Sequence, residues 1–261
     1  TKSKPHKPIT SGRISVESST KVAYTFSLLS ILLMGTGAYF AEDPYPLIAI
    51  WSIAAFLMYT YDAGLQTKKS GLVGNIAISL MVGAVIIFGA AAVSLANNEI
   101  VIYASVVAFF ANLAREIIKD CEDMDGDEGR KTLPMKIGLM NARSVAYVFI
   151  LASMVTLGLA HYIGPLEYHQ LVFHAPAIFV LFSLNGPLFH GDDHKAQQNV
   201  RLGMLLGLIA FGVVAITSSV AGLSISAVAP SSASHHFPSI DICFALIFHS
   251  KGCPLKGIRL A

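Results

Sequence analysis

Residues 115–134, Arg-Glu-Ile-Ile-Lys-Asp-Cys-Glu-Asp-Met-Asp-Gly-Asp-Glu-Gly-Arg-Lys-Thr-Leu-Pro, concentrate charge in a chain that is otherwise mostly hydrocarbon. Glu116, Asp120, Asp123 and Asp127 follow one another at steps of four, three and four, so on a helix continued from the preceding apolar run they share one face. Carboxylates packed this closely repel one another. The usual relief is a divalent cation, and hard oxygen ligands suit Mg²⁺ or Ca²⁺. Arg115 and Lys119 stand one turn apart beside the acids, and Arg130 and Lys131 follow. Acids with bases alongside are what a metal-bridged polyphosphate needs: metal neutralises some phosphate oxygens and the side-chain cations bind the rest. Asp123-x-Asp125-x-Asp127 opens like a calcium loop, but the sixth position is Glu128 instead of glycine and the twelfth is Pro134, so that pattern fails. A solvated interhelical loop is the plainer alternative, and the helical register argues against it. Gly126 and Gly129 are expected to end the helix and let the chain turn back toward the apolar body.

Tyr59, Tyr61, Lys68, Lys69 and Asn75 form a second group, around a short polar interval between two apolar runs. Tyrosines and lysines at such a boundary are often only interfacial anchors. The chemical alternative is that tyrosine faces stabilise a developing carbocation while Lys68 or Lys69 binds a departing diphosphate. His190, Asp192, Asp193 and His194 make a third group; His-x-Asp-Asp-His has no metal-ligand spacing, and it reads as a solvated turn between spans.

The elements that must position these residues are membrane spans. Of the 261 residues 54% are hydrophobic and 13% charged, with mean hydropathy +0.62, far from a soluble composition of about 25% charged. Apolar runs recur at about 22–40, 46–58, 72–95, 100–114, 142–163, 171–189 and 202–229, which predicts an all-α, polytopic transmembrane helical bundle of seven spans. The runs 46–58 and 100–114 are short, so each is expected to extend into its polar neighbours and carry them into a cavity or interface. Fifteen of the eighteen basic residues fall on one face of this arrangement, and the intervening loops 41–45, 96–99 and 164–170 have none. The positive-inside rule then puts the acidic stretch on the cytoplasmic side of a cell membrane. Residues 1–21 read as a cytoplasmic loop, 22–229 as the membrane domain, and 230–261 as a tail to which no function is assigned. Cys121, Cys243 and Cys253 lie too far apart for a disulfide framework or zinc site.

Arg115-Glu-x-x-Lys-Asp-x-x-Asp-x-x-x-Asp127, followed by Lys131-Thr-Leu-Pro134, resembles the second aspartate-rich motif of the UbiA superfamily of intramembrane prenyltransferases. Lys7-Pro-Ile-Thr-Ser-Gly-Arg13 is similar to the segment after that family's first aspartate-rich motif, and Lys68-Lys-x-Gly-Leu-Val-Gly-Asn75 to its Lys and Gly-Asn segment. The resemblance covers about residues 4–229 and looks most like the archaeal digeranylgeranylglyceryl phosphate synthase branch. Two departures stand out. The first aspartate-rich motif is absent, and the usual Tyr-Ser-x-x-Leu-Lys pattern reads Tyr61-Asp-Ala-Gly-Leu-Gln-Thr-Lys68.

This resemblance implies about seven spans of a nine-span fold, a chain truncated at its N-terminus, and inactivity of the chain alone for want of half its ligands. It implies Mg²⁺ held by Asp120, Asp123 and Asp127, with Arg115 and Lys119 at the catalytic centre. Lys7, Arg13, Tyr59, Tyr61, Lys68, Lys69, Asn75, Arg130 and Lys131 are the implied substrate-binding residues. The implied reaction transfers a geranylgeranyl group from its diphosphate to the hydroxyl of geranylgeranylglyceryl phosphate, in archaeal ether-lipid biosynthesis. The expected partners are the prenyl diphosphate, the lipid acceptor and the membrane, with no nucleic acid. An aromatic acceptor (a quinone precursor or chlorophyllide) is the first alternative, and a membrane cation transporter the second. A transporter should carry ionisable groups near the bilayer centre, whereas here they gather at helix ends.

Overall fold

The computed structural model describes residues 11–62, 71–124 and 131–228, with the side chains of residue 62 and of 218–228 left aside. Nine α-helices form it: α1 Val16–Phe40, α2 Pro44–Asp62, α3 Leu72–Ala91, α4 Glu99–Glu122, α5 Leu133–Ile137, α6 Leu139–Tyr162, α7 Leu171–Phe182, α8 Asn185–Phe189 and α9 Asp193–Val228, counted among the described residues. Among the described residues seven stretches are long and apolar enough to cross a membrane, α7 and α8 counting as one with the 3₁₀ turn before them. Seven spans is what the hydropathy predicts.

Local chemistry sets the ends. The Ser15 hydroxyl accepts from the Ser18 N–H at the start of α1, and the Asn98 side chain accepts from the Ile100 N–H at the start of α4; both satisfy donors that a helix leaves orphaned. Gly138 (φ +84°) separates α5 from α6, and Gly191 (φ +85°) separates α8 from α9, in a backbone region where a side chain would be strained.

The boundaries correct the sequence reading in three places. The run expected to end at residue 95 stops as helix at Ala91, and a turn through Ser94 (φ 61°) follows. α4 does not continue through the acidic stretch. It ends at Glu122 with Asp123 as its αR C-cap, so the one-face register runs from Glu116 through Asp120 to Asp123, and Asp127 lies outside the described residues. The third correction concerns His190, Asp192, Asp193 and His194, which are not a merely solvated turn. Asp193 opens α9, is buried, and takes two hydrogen bonds from Arg143 of α6, at 2.8 and 2.6 Å. A buried carboxylate with a two-pronged guanidinium partner is an interhelical fastening.

α1 and α2 meet where Leu47 packs on Gly37, and the Trp51 indole donates to Ser30 over 3.0 Å. α3 and α4 approach closely at Gly83, whose carbonyl accepts from the Ser105 hydroxyl at 2.8 Å; the small residue allows the approach, as is common between helices in lipid. The core gathers Ile117 and Ile118 of α4, Ala146 and Ile150 of α6, Leu188 of α8 and Val200 of α9. α1 buries none of its residues and presents Tyr24, Phe26, Leu28 and Leu32 outward.

By its internal packing the chain divides into Thr1–Phe211 and Gly212–Ala261. In the second unit the described part is helix, with the Thr217 hydroxyl donating to the carbonyls of Val213 and Val214. The tail expected at 230–261 lies outside the described residues.

Candidate active site

Two facing stripes of polar side chains run along α3 and α4, each at the four-residue spacing that keeps side chains on one helix face. Asn75 and Ser79 form the α3 stripe; Asn112, Glu116 and Asp120 form the α4 stripe, and all five are buried. Burial on this scale is tolerable only if the groups satisfy one another, and they do. Asn75 Nδ2 donates to Asp120 Oδ2 over 2.8 Å. The Ser79 hydroxyl donates to the Asn75 carbonyl (2.7 Å) and accepts from Asn112 Nδ2 (3.1 Å). Arg115 Nη1 reaches Asn112 Oδ1 at 3.4 Å and Glu116 Oε1 at 2.8 Å, while Lys119 Nζ binds Glu116 Oε2 at 2.9 Å. One chain of hydrogen bonds thus leads from the Arg115 guanidinium to the Asp120 carboxylate.

Arg115 and Lys119 therefore share the carboxylate of Glu116 between them. Two cations on one anion leave net positive charge beside Asp120. Arg115 Nη1 spends its donors on Asn112 and Glu116; Nε is buried and, among the described residues, has no hydrogen-bond partner. The buried Thr132 hydroxyl is likewise without one. An unmatched guanidinium donor beside the Glu116 pair suits an anionic ligand.

The loop side of the site closes by backbone contact. Gly71, at φ +58°, sits so near the next motif that a Cβ built there would stand 2.3 Å from the Lys131 carbonyl oxygen and 3.1 Å from Thr132 Cα. Glycine is required here both by the left-handed φ and by the contact. The start of α3 and the segment after the acidic stretch are thereby brought together.

Of the predicted site residues, Asn75, Arg115, Lys119 and Asp120 meet in the stripe just described. Asp123 is half-buried one turn beyond Asp120, its N–H donating to the Lys119 carbonyl at 2.9 Å. Lys131 is exposed beside Gly71. Tyr61 is half-buried at the end of α2, Tyr59 is exposed, and Arg13 is exposed with its Nε donating to Ser11 over 3.2 Å. Lys7, Lys68, Lys69, Asp127 and Arg130 lie outside the described residues. Ser79, Asn112 and the bridging role of Glu116 escaped the sequence reading. Their signal was present as polar residues at four-residue spacing inside apolar runs, which hydropathy averages away.

Among the described residues no group of three His, Cys, Asp or Glu side chains is gathered as a metal cage. Mg²⁺ is usually held by one or two carboxylates and the substrate's own phosphates instead of an all-protein cage, so Asp120 and Asp123 fit that mode by chemistry and placement.

The model of the UbiA prenyltransferase family matches residues 1–202. The chain is 37% identical over 212 residues to the digeranylgeranylglyceryl phosphate synthase of Methanopyrus kandleri, covering 80% of this chain and 74% of that protein. It is 34% identical over 184 residues to the protein of the same name from Methanococcus aeolicus, covering 70% of this chain and 59% of that one. A solved structure reported as "Structural and mechanistic insights into the biosynthesis of Digeranylgeranylglyceryl phosphate synthase in membranes" aligns with a TM-score of 0.61 at 27% identity, over 82% of this chain and 75% of that one.

Proposed function

The chain belongs to the UbiA prenyltransferase family and is a multi-pass membrane prenyltransferase, and from that premise we propose that it transfers a geranylgeranyl group from its diphosphate to the hydroxyl of geranylgeranylglyceryl phosphate, with Mg²⁺. The observation that carries this reading is the buried Asp120, held by Asn75 at the end of a membrane span, with Lys119 next to it in sequence and Arg115 one turn before Lys119. Carboxylate and cations at that depth suit a ligand with a diphosphate head and a hydrocarbon tail. The names of the relatives supply the acceptor.

Asp120 and Asp123 would hold the metal, joined by Asp127; when bound, it supplies neutralisation of diphosphate oxygens as charge develops on them. Arg115 and Lys119 bind the remaining phosphate charge, Arg115 through donors not committed to Glu116. Lys131, Arg130 and the segment of Lys68 and Lys69 are further cations for the diphosphate or for the acceptor's own phosphate, as are Lys7 and Arg13. The allylic carbon–oxygen bond breaks with its electron pair leaving on the diphosphate. The acceptor oxygen then bonds to the same carbon and releases its proton. Tyr59 and Tyr61 are the aromatic faces assigned to the developing cation. Apolar helix walls exclude the water that would quench it. We place the site on the cytoplasmic side because, in the sequence, fifteen of the eighteen basic residues fall in the segments on the acidic stretch's side of the seven apolar runs.

The test is direct. The protein, together with any sequence its gene encodes upstream of Thr1, is placed in liposomes and given labelled geranylgeranyl diphosphate and Mg²⁺ with either geranylgeranylglyceryl phosphate or 4-hydroxybenzoate, and the extracted lipids are separated. The expected outcome is a doubly prenylated glyceryl phosphate that disappears when EDTA is added. Label carried only into the aromatic acceptor would overturn the choice of acceptor.

A further inference from the structure

The last two turns of α4 carry Glu116, Asp120 and Glu122 and are followed by Asp123, at the end of a helix whose dipole disfavours negative charge. Such a terminus tends to fray unless something outside the helix holds it. Asp120 is held on one side by Asn75 of α3. Glu122 lies about 200° further around the helix and faces the other way. It meets α9: Oε2 accepts from Gln197 Nε2 at 2.9 Å, and Oε1 accepts from His194 Nδ1 at 3.0 Å.

The α9 side is built to present those donors. Arg201 donates to Gln197 Oε1, which fixes the amide so that its N–H points at Glu122. His194 Nε2 takes a hydrogen bond from Gln198 at 2.8 Å, leaving Nδ1 as the proton donor toward the carboxylate. The first turn of α9 is anchored by the pairing of Asp193 with Arg143, and Asp192 accepts from the Lys195 N–H at 3.1 Å. Gln197 is buried.

We propose that Glu122 is a positioning residue and not a metal ligand: its bonds to Gln197 and His194 tie the end of α4 to α9 and so hold Asp120 and Asp123 at the spacing that a Mg²⁺–diphosphate group requires. The inference rests on the prenyl-transfer reading of this site. The tether explains why an acidic residue within the motif faces away from the polar stripe.

Exchanging the two groups separates a tether from a ligand. Glu122→Gln, Gln197→Glu and the double exchange are compared with the unsubstituted protein in detergent. In the double exchange, Gln at 122 donates to Glu at 197, which Arg201 also pairs, so the tether returns with its direction reversed while the carboxylate has moved to the other helix. The first readout is thermal unfolding without ligand, and the second is the concentration of inorganic diphosphate, at fixed Mg²⁺, that gives half of the ligand-induced rise in Tm. The third is KM for the prenyl diphosphate against KM for the acceptor.

Gln197→Glu alone, which sets two carboxylates face to face, should raise the half-saturating diphosphate about tenfold, the scale of one charge-assisted hydrogen bond. The double exchange should return it to within about threefold of the original, with unliganded Tm values coupled in the same sense. KM for the prenyl diphosphate should follow, and KM for the acceptor should stay. Uncoupled Tm values, a double exchange no better than Gln197→Glu, or no response of the unsubstituted protein to Mg²⁺ and diphosphate would each overturn the positioning role. Loss of all diphosphate response in Glu122→Gln, unrescued by the exchange, would make Glu122 a ligand. Coupling and diphosphate binding as expected, but with no prenyl transfer, would leave the tether standing and sink the proposed reaction.

Discussion

Asn75 spends its side-chain amide on Asp120, over 2.8 Å in a buried place, and its own carbonyl is held by Ser79. In that position its amide orients a carboxylate. Replacing it by an apolar residue of similar size leaves Asp120 Oδ2 without this donor. Hydrogen bonds to charged groups contribute about 1.5–3 kcal/mol, and a buried acceptor left unmatched costs on the same scale. Asn75→Leu should therefore lower prenyl-transfer turnover by about 10- to 100-fold. The check is turnover at saturating substrates beside a melting curve; a rate within about twofold of the original would show that Asp120 is held well enough by other means.

Between elements, the decisive contact is that of the α3 start with the backbone at Lys131 and Thr132. The close approach at Gly71 is to backbone atoms, so substituting the Lys131 side chain would leave it intact, while a single methyl at Gly71 would not. Gly71→Ala places Cβ 2.3 Å from a carbonyl oxygen and demands φ +58° of a residue that resists it. We expect a loss of roughly 1–3 kcal/mol of stability, visible as a lower Tm in detergent. Gly89→Ala is the control, since a Cβ there meets nothing within 4 Å and alanine suits a helix interior better than glycine. The two variants falling equally would mean that the close approach does not matter.

At the scale of the whole molecule the argument concerns which way the bundle lies in the membrane. Glu42 is exposed in the turn between α1 and α2, at the end without basic residues; Lys136 is exposed in α5, at the end rich in them. In a background of Cys121→Ser, Cys243→Ser and Cys253→Ser, a membrane-impermeant maleimide applied to intact cells should label Glu42→Cys at once. Lys136→Cys should react only after permeabilisation. The opposite pattern would place the acidic site outside the cell and remove the cytoplasmic reading.

The membrane class, the helical fold and the seven spans were legible in the sequence. Each depends on properties local to a run of about 20 residues: its length, its apolarity, the charges at its ends. Pairings between side chains were not legible. Asp120 meets Asn75 across 45 residues, Asp193 meets Arg143 across 50, and Gln197 meets Glu122 across 75. Hydropathy does not record how far each helix is rotated about its axis, and a rotation of about 100° per residue decides whether a carboxylate faces α3, α9 or lipid. For that reason Glu116 and Glu122 belonged to one anionic stretch in the sequence. The packing of α3, α6 and α9 around α4 is what gave Glu116 its cations and Glu122 its tether, and left Asp120 with Asn75.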